Sequence, residues 1–163
     1  MYTEIWVKKI YILSENSLEK VVKSEYTIIK GVDFVMLKRK IEQKLIDWKN
    51  AKEHKPLIIK GCRQCGKTFS VLEFAKSNYK NAVYLNFFEN PDYASVFSGS
   101  LEIDNIIMML SALLGKGAVF EAGETVLILD EIQECPEART ALKFFQMDGR
   151  FDVIGTGSLL GVK

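Results

Sequence analysis

The residues best suited to chemistry form one short stretch, Gly61-Cys62-Arg63-Gln64-Cys65-Gly66-Lys67-Thr68. It fits G-x-x-x-x-G-K-[ST], the Walker A pattern. Its glycines let the backbone wrap phosphate oxygens, its lysine reaches the β- and γ-phosphates, and its hydroxyl can bind Mg2+. A second stretch, Thr125-Val126-Leu127-Ile128-Leu129-Asp130-Glu131, brings two adjacent carboxylates to the end of an apolar run. This is a Walker B arrangement, in which Asp130 holds Mg2+ through water and Glu131 orients and polarises the attacking water. A carboxylate pair at a strand end is a weak signal alone. Here it lies 63 residues after Lys67, with a strand and a helix between, and the two stretches reinforce each other.

These groups need strands and helix ends to hold them. Leu57-Ile58-Ile59-Lys60 reads as a buried strand leading into the glycine loop. Phe69 to Lys76 reads as the following helix, with Val71, Leu72 and Ala75 on one face. Its N-terminus would aim N–H groups and a partial positive charge at phosphate. Ala82 to Phe87 reads as a second strand, broken by Asn90-Pro91-Asp92, with Glu89 as a solvated loop carboxylate. Asp104 to Leu114 is a helical pattern, in which Met108 and Met109 are expected to fill core space. The run 125–129 is apolar throughout, as in a parallel-sheet strand buried on both faces, and its C-terminal end is where open α/β sheets bind ligands. Pro136 to Met147 is a further helix, with Ala138, Ala141, Leu142 and Phe145 inward, and Phe151-Asp152-Val153-Ile154 the next strand. Upstream, Met36 to Asn50 is amphipathic, with Leu37, Ile41, Leu45 and Trp48 on one face. A functional reading places the 50–56 connection near an adenine base; packing alone is the simpler reading.

Composition sets the outer limits. The chain has 163 residues, 48% of them apolar and a net charge of +1, which suits one globular domain with or without an appendage. Residues 1–80 carry 17 Lys+Arg against 9 Asp+Glu, and residues 81–140 carry 2 against 10. The basic half holds the glycine loop and the acidic half the carboxylates. The charges around Lys38–Lys60 are mixed and lack interleaved aromatics, so nucleic acid is a weak expectation. Three cysteines make no disulfide framework and fit a reducing cytoplasm. The apolar run Ile106–Leu114 is far short of a membrane span, and Glu4, Lys8 and Lys9 interrupt any leader-like start. Cys62 and Cys65 have C-x-x-C spacing, but with only Cys135 and His54 left over the ligand count for zinc fails, and they read as variable loop positions. His54 itself reads as a solvated loop residue.

Residues 1–35 stand apart from the core of residues 36–163. Ile5-Trp6-Val7, Ile10 to Leu13, Val21-Val22 and Tyr26 to Ile29 are strand-like, with Ser14 to Ser17 as a turn. A hairpin on a sheet edge, a segment without its own fold, and an extension ahead of an internal start at Met36 all remain open.

Taken together, the motifs resemble a bacterial and archaeal family of AAA-type P-loop ATPases. The resemblance rests on Lys55-Pro56-Leu57 into the glycine loop, Tyr84-Leu85-Asn86-Phe87, Leu127 through Gln133, and Ile154-Gly155-Thr156-Gly157-Ser158, and covers about residues 36–163. Asp-Glu-Ile-Gln followed by Thr-Gly-Ser is its most specific part. The resemblance implies a three-layer α/β P-loop NTPase fold with a mostly parallel sheet, incomplete at its C-terminal end, in which the first strand lies between the fifth and the fourth. It implies Mg-ATP binding with slow hydrolysis; a nucleotide-binding interaction module or remnant without useful turnover is the alternative. Backbone groups of Gly61, Cys62, Arg63, Gln64, Cys65, Gly66, Lys67, Thr68 and Phe69 would hold the phosphates. Thr68 and Asp130 would hold Mg2+, while Glu131, Lys67 and Ser158 act in catalysis. Ser158, with Thr156 as alternative, would take the sensor 1 role at the γ-phosphate. Arg139 and Arg150 could face a neighbouring copy in a homo-oligomer, and a missing C-terminal domain is the other implied partner. A chain ending at Lys163 would leave the edge of the glycine-loop strand uncovered, unless the 1–35 segment lay there.

Overall fold

The computed structural model describes residues 12–14, 40–52, 54–61 and 66–158. Among these residues five strands form one sheet: β1 (Ile12–Ser14), β2 (Leu57–Gly61), β3 (Asn81–Asn86), β4 (Thr125–Asp130) and β5 (Asp152–Ser158). Among the same residues four α-helices accompany them: α1 (Lys40–Asn50), α2 (Lys67–Asn78), α3 (Ile103–Leu114) and α4 (Pro136–Asp148). The sheet order is β1-β3-β4-β5-β2, with β3, β4, β5 and β2 parallel and β1 antiparallel against β3.

Side-chain alternation sorts each strand between two cores. In β4, Val126 and Ile128 join Tyr84, Ala82 and Ile154 beneath Leu45 of α1 and Val71, Phe74 and Ala75 of α2. Leu127 and Leu129 face the other way, with Val83, Leu85 and Val153, against α3, α4 and a 3-10 turn at Pro91–Phe97. Every residue of β3 and β4 is buried, which is why their central stretches, residues 82–85 and 126–129, read as runs without the polar alternation of a half-exposed strand. The result is the three-layer α/β architecture of a P-loop NTPase.

Most boundaries fall within two residues of expectation, and the differences have physical causes. β5 runs on through Gly155-Thr156-Gly157-Ser158, four residues beyond the expected end at Ile154. A Cβ at Gly155 would lie 3.2 Å from the Ile132 side chain, so glycine lets β5 pass beneath the turn that follows β4. Met108 is 61% exposed and Met109 39%, so neither fills the core; Ile103, Ile106 and Leu110 take the buried face of α3 instead. The strand within 1–35, Ile12–Ser14, includes Ser14 and pairs with β3 at the edge opposite β2, so it does not cover the glycine-loop strand. Leu37 lies outside the described residues.

His54 is only partly exposed and is tied into a cluster rather than free in the loop. Its Nε2 lies 2.6 Å from Asp152 Oδ1 and its Nδ1 3.1 Å from the Ala51 carbonyl, with Trp48 edge-on at 4.8 Å. The Tyr79 hydroxyl donates to the other Asp152 oxygen at 2.5 Å. Lys49 lies 3.8 Å above the Tyr79 ring and donates to the Asn78 carbonyl. This cluster sits at the N-terminal ends of β2 and β5, whereas the glycine loop leaves the C-terminal end of β2. The 50–56 connection is therefore at the wrong end of the sheet for an adenine base beside that loop.

Both His54 nitrogens face acceptors, which only the protonated ring satisfies from both sides. Burial lowers its pKa, but the bonds to Ala51 and Asp152 and the Asp152 charge outweigh that effect and Lys49, leaving it above its ordinary value of 6.5. A folded-state pKa above the unfolded value gives stability that is full below about pH 6.5 and fades as pH rises through the folded value. His54 is the chain's single histidine, so the signal is easily assigned. Urea midpoints are predicted to fall between pH 6 and pH 8.5, and Asp152→Asn to flatten that slope. A wild-type midpoint unchanged over this range would rule the ion pair out as a stabilising element.

Candidate functional site

Asp130, at the C-terminal end of β4, is only 4% exposed. Its Oδ2 accepts from the Thr68 hydroxyl at 3.0 Å and the Tyr84 hydroxyl at 2.7 Å. Its Oδ1 accepts from the Thr156 hydroxyl and from the Glu131 N–H at 3.1 Å. Four donors occupy the roughly four acceptor sites of a carboxylate. They come from α2, β3, β5 and the chain just after β4, so one side chain ties together the elements that surround the loop. Asn86 extends the network: its amide donates to the Tyr84 hydroxyl at 3.2 Å while its oxygen accepts the N–H groups of Phe88 and Glu89 at 3.0 and 3.1 Å. Burial, then the Asp130 charge, pushes the Tyr84 phenol far above its ordinary range, so it remains a donor.

The glycine loop meets α2 through Gly66, whose φ of 79° lies in the left-handed region that suits glycine. With no side chain, Gly66 cannot cap α2. A helix N-terminus has the backbone N–H groups and dipole that are the usual elements of an anion site. Lys67, in the first turn of α2, donates to the Gly61 carbonyl at 3.1 Å, which places its amine over the loop's starting point. Phe69 is exposed on the same turn. Cys62, Arg63, Gln64 and Cys65 lie outside the described residues.

Thr68 and Asp130 are thus brought together, with Lys67 close by in sequence and space. Glu131 follows with φ 52° and ψ 44°, the one non-glycine positive φ among the described residues. Strained backbone of this kind costs about 1–3 kcal/mol and often accompanies function. Ser158 ends β5 opposite Gly61 in the parallel β2–β5 register, at the mouth of the loop. Thr156 is buried and donates to Asp130, whereas Ser158 is partly exposed. Arg150 pairs with Asp104 at 2.6 Å and Asp148 at 2.8 Å, so it serves its own chain, while Arg139 is exposed on α4. Glu89 is exposed as expected, yet near enough for its charge to act on the Tyr84 hydroxyl.

Tyr84, Asn86 and Gln133 were given no role from the sequence. A usable signal was present: Tyr84 and Asn86 alternate with Leu85 at a strand's C-terminal end, and polar groups at such a place need partners. Thr68 and Asp130 offer hard oxygen atoms, which suit Mg2+, an ion that keeps several waters and takes further oxygens from phosphate. Among the described residues no cluster of three or more His, Cys, Asp or Glu could hold a metal by itself. No described helix is long and apolar enough to cross a membrane.

The sequence model of a family described as "AAA domain" matches residues 53–162. The chain belongs to this AAA domain family. The match spans the glycine loop, the Asp130-Glu131 pair and β5, the parts the geometry brings together. Among solved structures the chain is similar to "Structure of C. elegans PCH-2", at 15% identity and a TM-score of 0.42, over 74% of this chain and 34% of that one. The AAA domain chain thus spans about a third of that relative's length. No curated protein matches it. Membership of the AAA domain family makes this a nucleotide-binding, ATPase-type domain.

The Tyr84–Asp130 bond gives a direct test. A hydrogen bond to a charged group contributes about 1.5–3 kcal/mol. Tyr84→Phe is predicted to lower the unfolding free energy by about that amount in urea titrations, and a loss below about 0.5 kcal/mol would show that the bond contributes little.

Proposed function

We propose that this domain binds ATP with Mg2+ and hydrolyses it. The observation that carries the reading is the Thr68–Asp130 contact at 3.0 Å, which joins the hydroxyl of the G-K-T sequence to the strand-end carboxylate. Backbone N–H groups from Gly61 to Phe69 would take the phosphate oxygens, and Lys67 would leave the Gly61 carbonyl to neutralise charge on the β- and γ-phosphates. Thr68 would hold Mg2+ directly through its hydroxyl oxygen and Asp130 through water, which would take an acceptor site that one of the present donors to Asp130 now fills. Bound there, the ion would offset the charge that develops on the phosphate oxygens.

Glu131 would accept a hydrogen bond from the attacking water and take its proton as the water oxygen bonds to the γ-phosphorus. The bond from the γ-phosphorus to the bridging oxygen breaks, and ADP leaves with that electron pair. Ser158, across from Gly61, would donate to a γ-phosphate oxygen. Positioning and charge neutralisation are the main demands of phosphoryl transfer, and these groups supply both.

The roles of Lys67 and Glu131 differ and can be separated. Lys67→Ala is predicted to weaken Mg-ATP binding about 10- to 100-fold, the value of a charged hydrogen bond. Glu131→Gln should bind ATP as the wild type does and lose about 10²-fold or more in turnover, as for a lost general base. Calorimetry and steady-state phosphate release measure the two. Equal loss of ATP affinity in both variants would overturn the assignment.

A further inference from the structure

The two most specific pieces of the sequence, Asp-Glu-Ile-Gln and Thr-Gly-Ser, touch in the structure through a residue that the proposed mechanism leaves unused. Gln133 lies in the short 3-10 turn Ile132–Glu134 that follows Glu131. Its Nε2 donates to Glu131 Oε2, with Glu134 Oε1 a distant second partner at 3.5 Å. Its Oε1 is buried and has no hydrogen-bond partner. That same oxygen would lie 2.6 Å from a Cβ built on Gly157 of β5. The amide therefore sits in space left open by the missing side chain of Gly157, one residue before Ser158.

Three features coincide here that ordinary packing does not require. Glu131 is held in a left-handed conformation that a glutamate rarely adopts. A buried amide oxygen lacks a partner, where the large majority of such groups have one. A strand of the sheet gives up a side chain at the point where the amide lies. The unpartnered oxygen costs stability, and a hydrophobic residue at 133 would avoid that cost. What the amide achieves in return is a fixed direction for the Glu131 carboxylate.

We propose that Gln133 is a positioning residue that holds the Glu131 carboxylate toward the attacking water, and that Gly157 sets where Gln133 stands. This rests on the ATPase reading above and deepens it. One amide donor on Oε2 leaves most of the carboxylate's acceptor sites open to water while removing its freedom to swing. Because Gly157 neighbours Ser158, the group that meets the γ-phosphate and the group that aims the carboxylate share one strand. A shift of Ser158 toward a bound nucleotide carries Gly157, and with it the seat of Gln133.

The test uses the full chain. Gln133→Ala should keep the KM for Mg-ATP and lose about a hundredfold in kcat, the usual cost of a misplaced catalytic group. Gly157→Ala should fold, because the atom it displaces is the end of a flexible side chain, and should show the same split between kcat and KM. The double variant should be no worse than Gln133→Ala alone, since the methyl added at position 157 then has nothing to displace. Gly99→Ala, where an added Cβ meets nothing within 4 Å, is the control and should match the wild type. As a readout independent of turnover, the Gln133 side-chain NH2 protons, followed by NMR, should resist solvent exchange in the wild type and lose that resistance in Gly157→Ala. Unprotected NH2 protons in the wild type, an unchanged or increased kcat in Gln133→Ala, or a loss confined to KM would each overturn the proposal. A wild-type chain that binds Mg-ATP but never turns it over would overturn the hydrolysis reading and this role with it. Protected NH2 protons in that same sample would show that the contact itself is real, so the two failures are distinguishable.

Discussion

A carboxylate taken out of water must find donors, and the placing of Asp130 makes that demand at the point where the sheet meets α2. Thr68, Tyr84, Thr156 and the Glu131 N–H meet it from four separate parts of the chain. Each donor lies on a different part of the chain, so satisfying one side chain also holds β3, β4, β5 and α2 together at this end of the sheet. Leaving any acceptor site unpaired would carry the desolvation cost of a buried polar group. The polar mouth of the domain is therefore as tightly determined as the apolar layers beneath it.

Those layers keep the mouth in register. β3 and β4 align residue for residue from Asn81 with Thr125 to Asn86 with Asp130, so Tyr84 and Asn86 fall on the face that carries Asp130. A one-residue slip would send Tyr84 into the opposite core and bring Leu85 to the carboxylate. At the other end of the sheet, Asp152 is gripped by His54 and Tyr79. β5 is thus anchored by charged contacts at its start and by Asp130 near its end, with only Val153, Ile154 and Gly155 between those two anchors.

Much of this was legible in the residues. The strand and helix that flank the glycine loop, the apolar run ending in Asp130-Glu131 and the inward face of α4 follow from patterns that depend on neighbours a few positions away. What escaped depends on residues far apart in the chain. His54 looks like a loop residue until Asp152 arrives from 98 positions away. The continuation of β5 through Gly155 and Gly157 makes sense only once Ile132 and Gln133 are seen to lie against them. Met108 and Met109 suit a core by composition, but Ile103, Ile106 and Leu110 already fill the inward stripe of α3. Tyr84 carries a polar tip that hydrophobicity cannot weigh without knowing what it meets. Local chemistry is readable in sequence order, while pairing across the fold is not.

The position of β2 has a consequence for the order of assembly. Among the described strands it pairs with β5 alone, and the partners run from Leu57 with Ile154 to Gly61 with Ser158. Pairing of β2 with β5 therefore waits until almost a hundred further residues have followed Leu57. Long-range parallel pairing of this kind is slow, because the loop-closure entropy is lost before any contact offsets it. During synthesis β3 and β4 can pair and collect α3 while β2 still waits. The glycine loop would gain this partner strand only after much of the described core had formed.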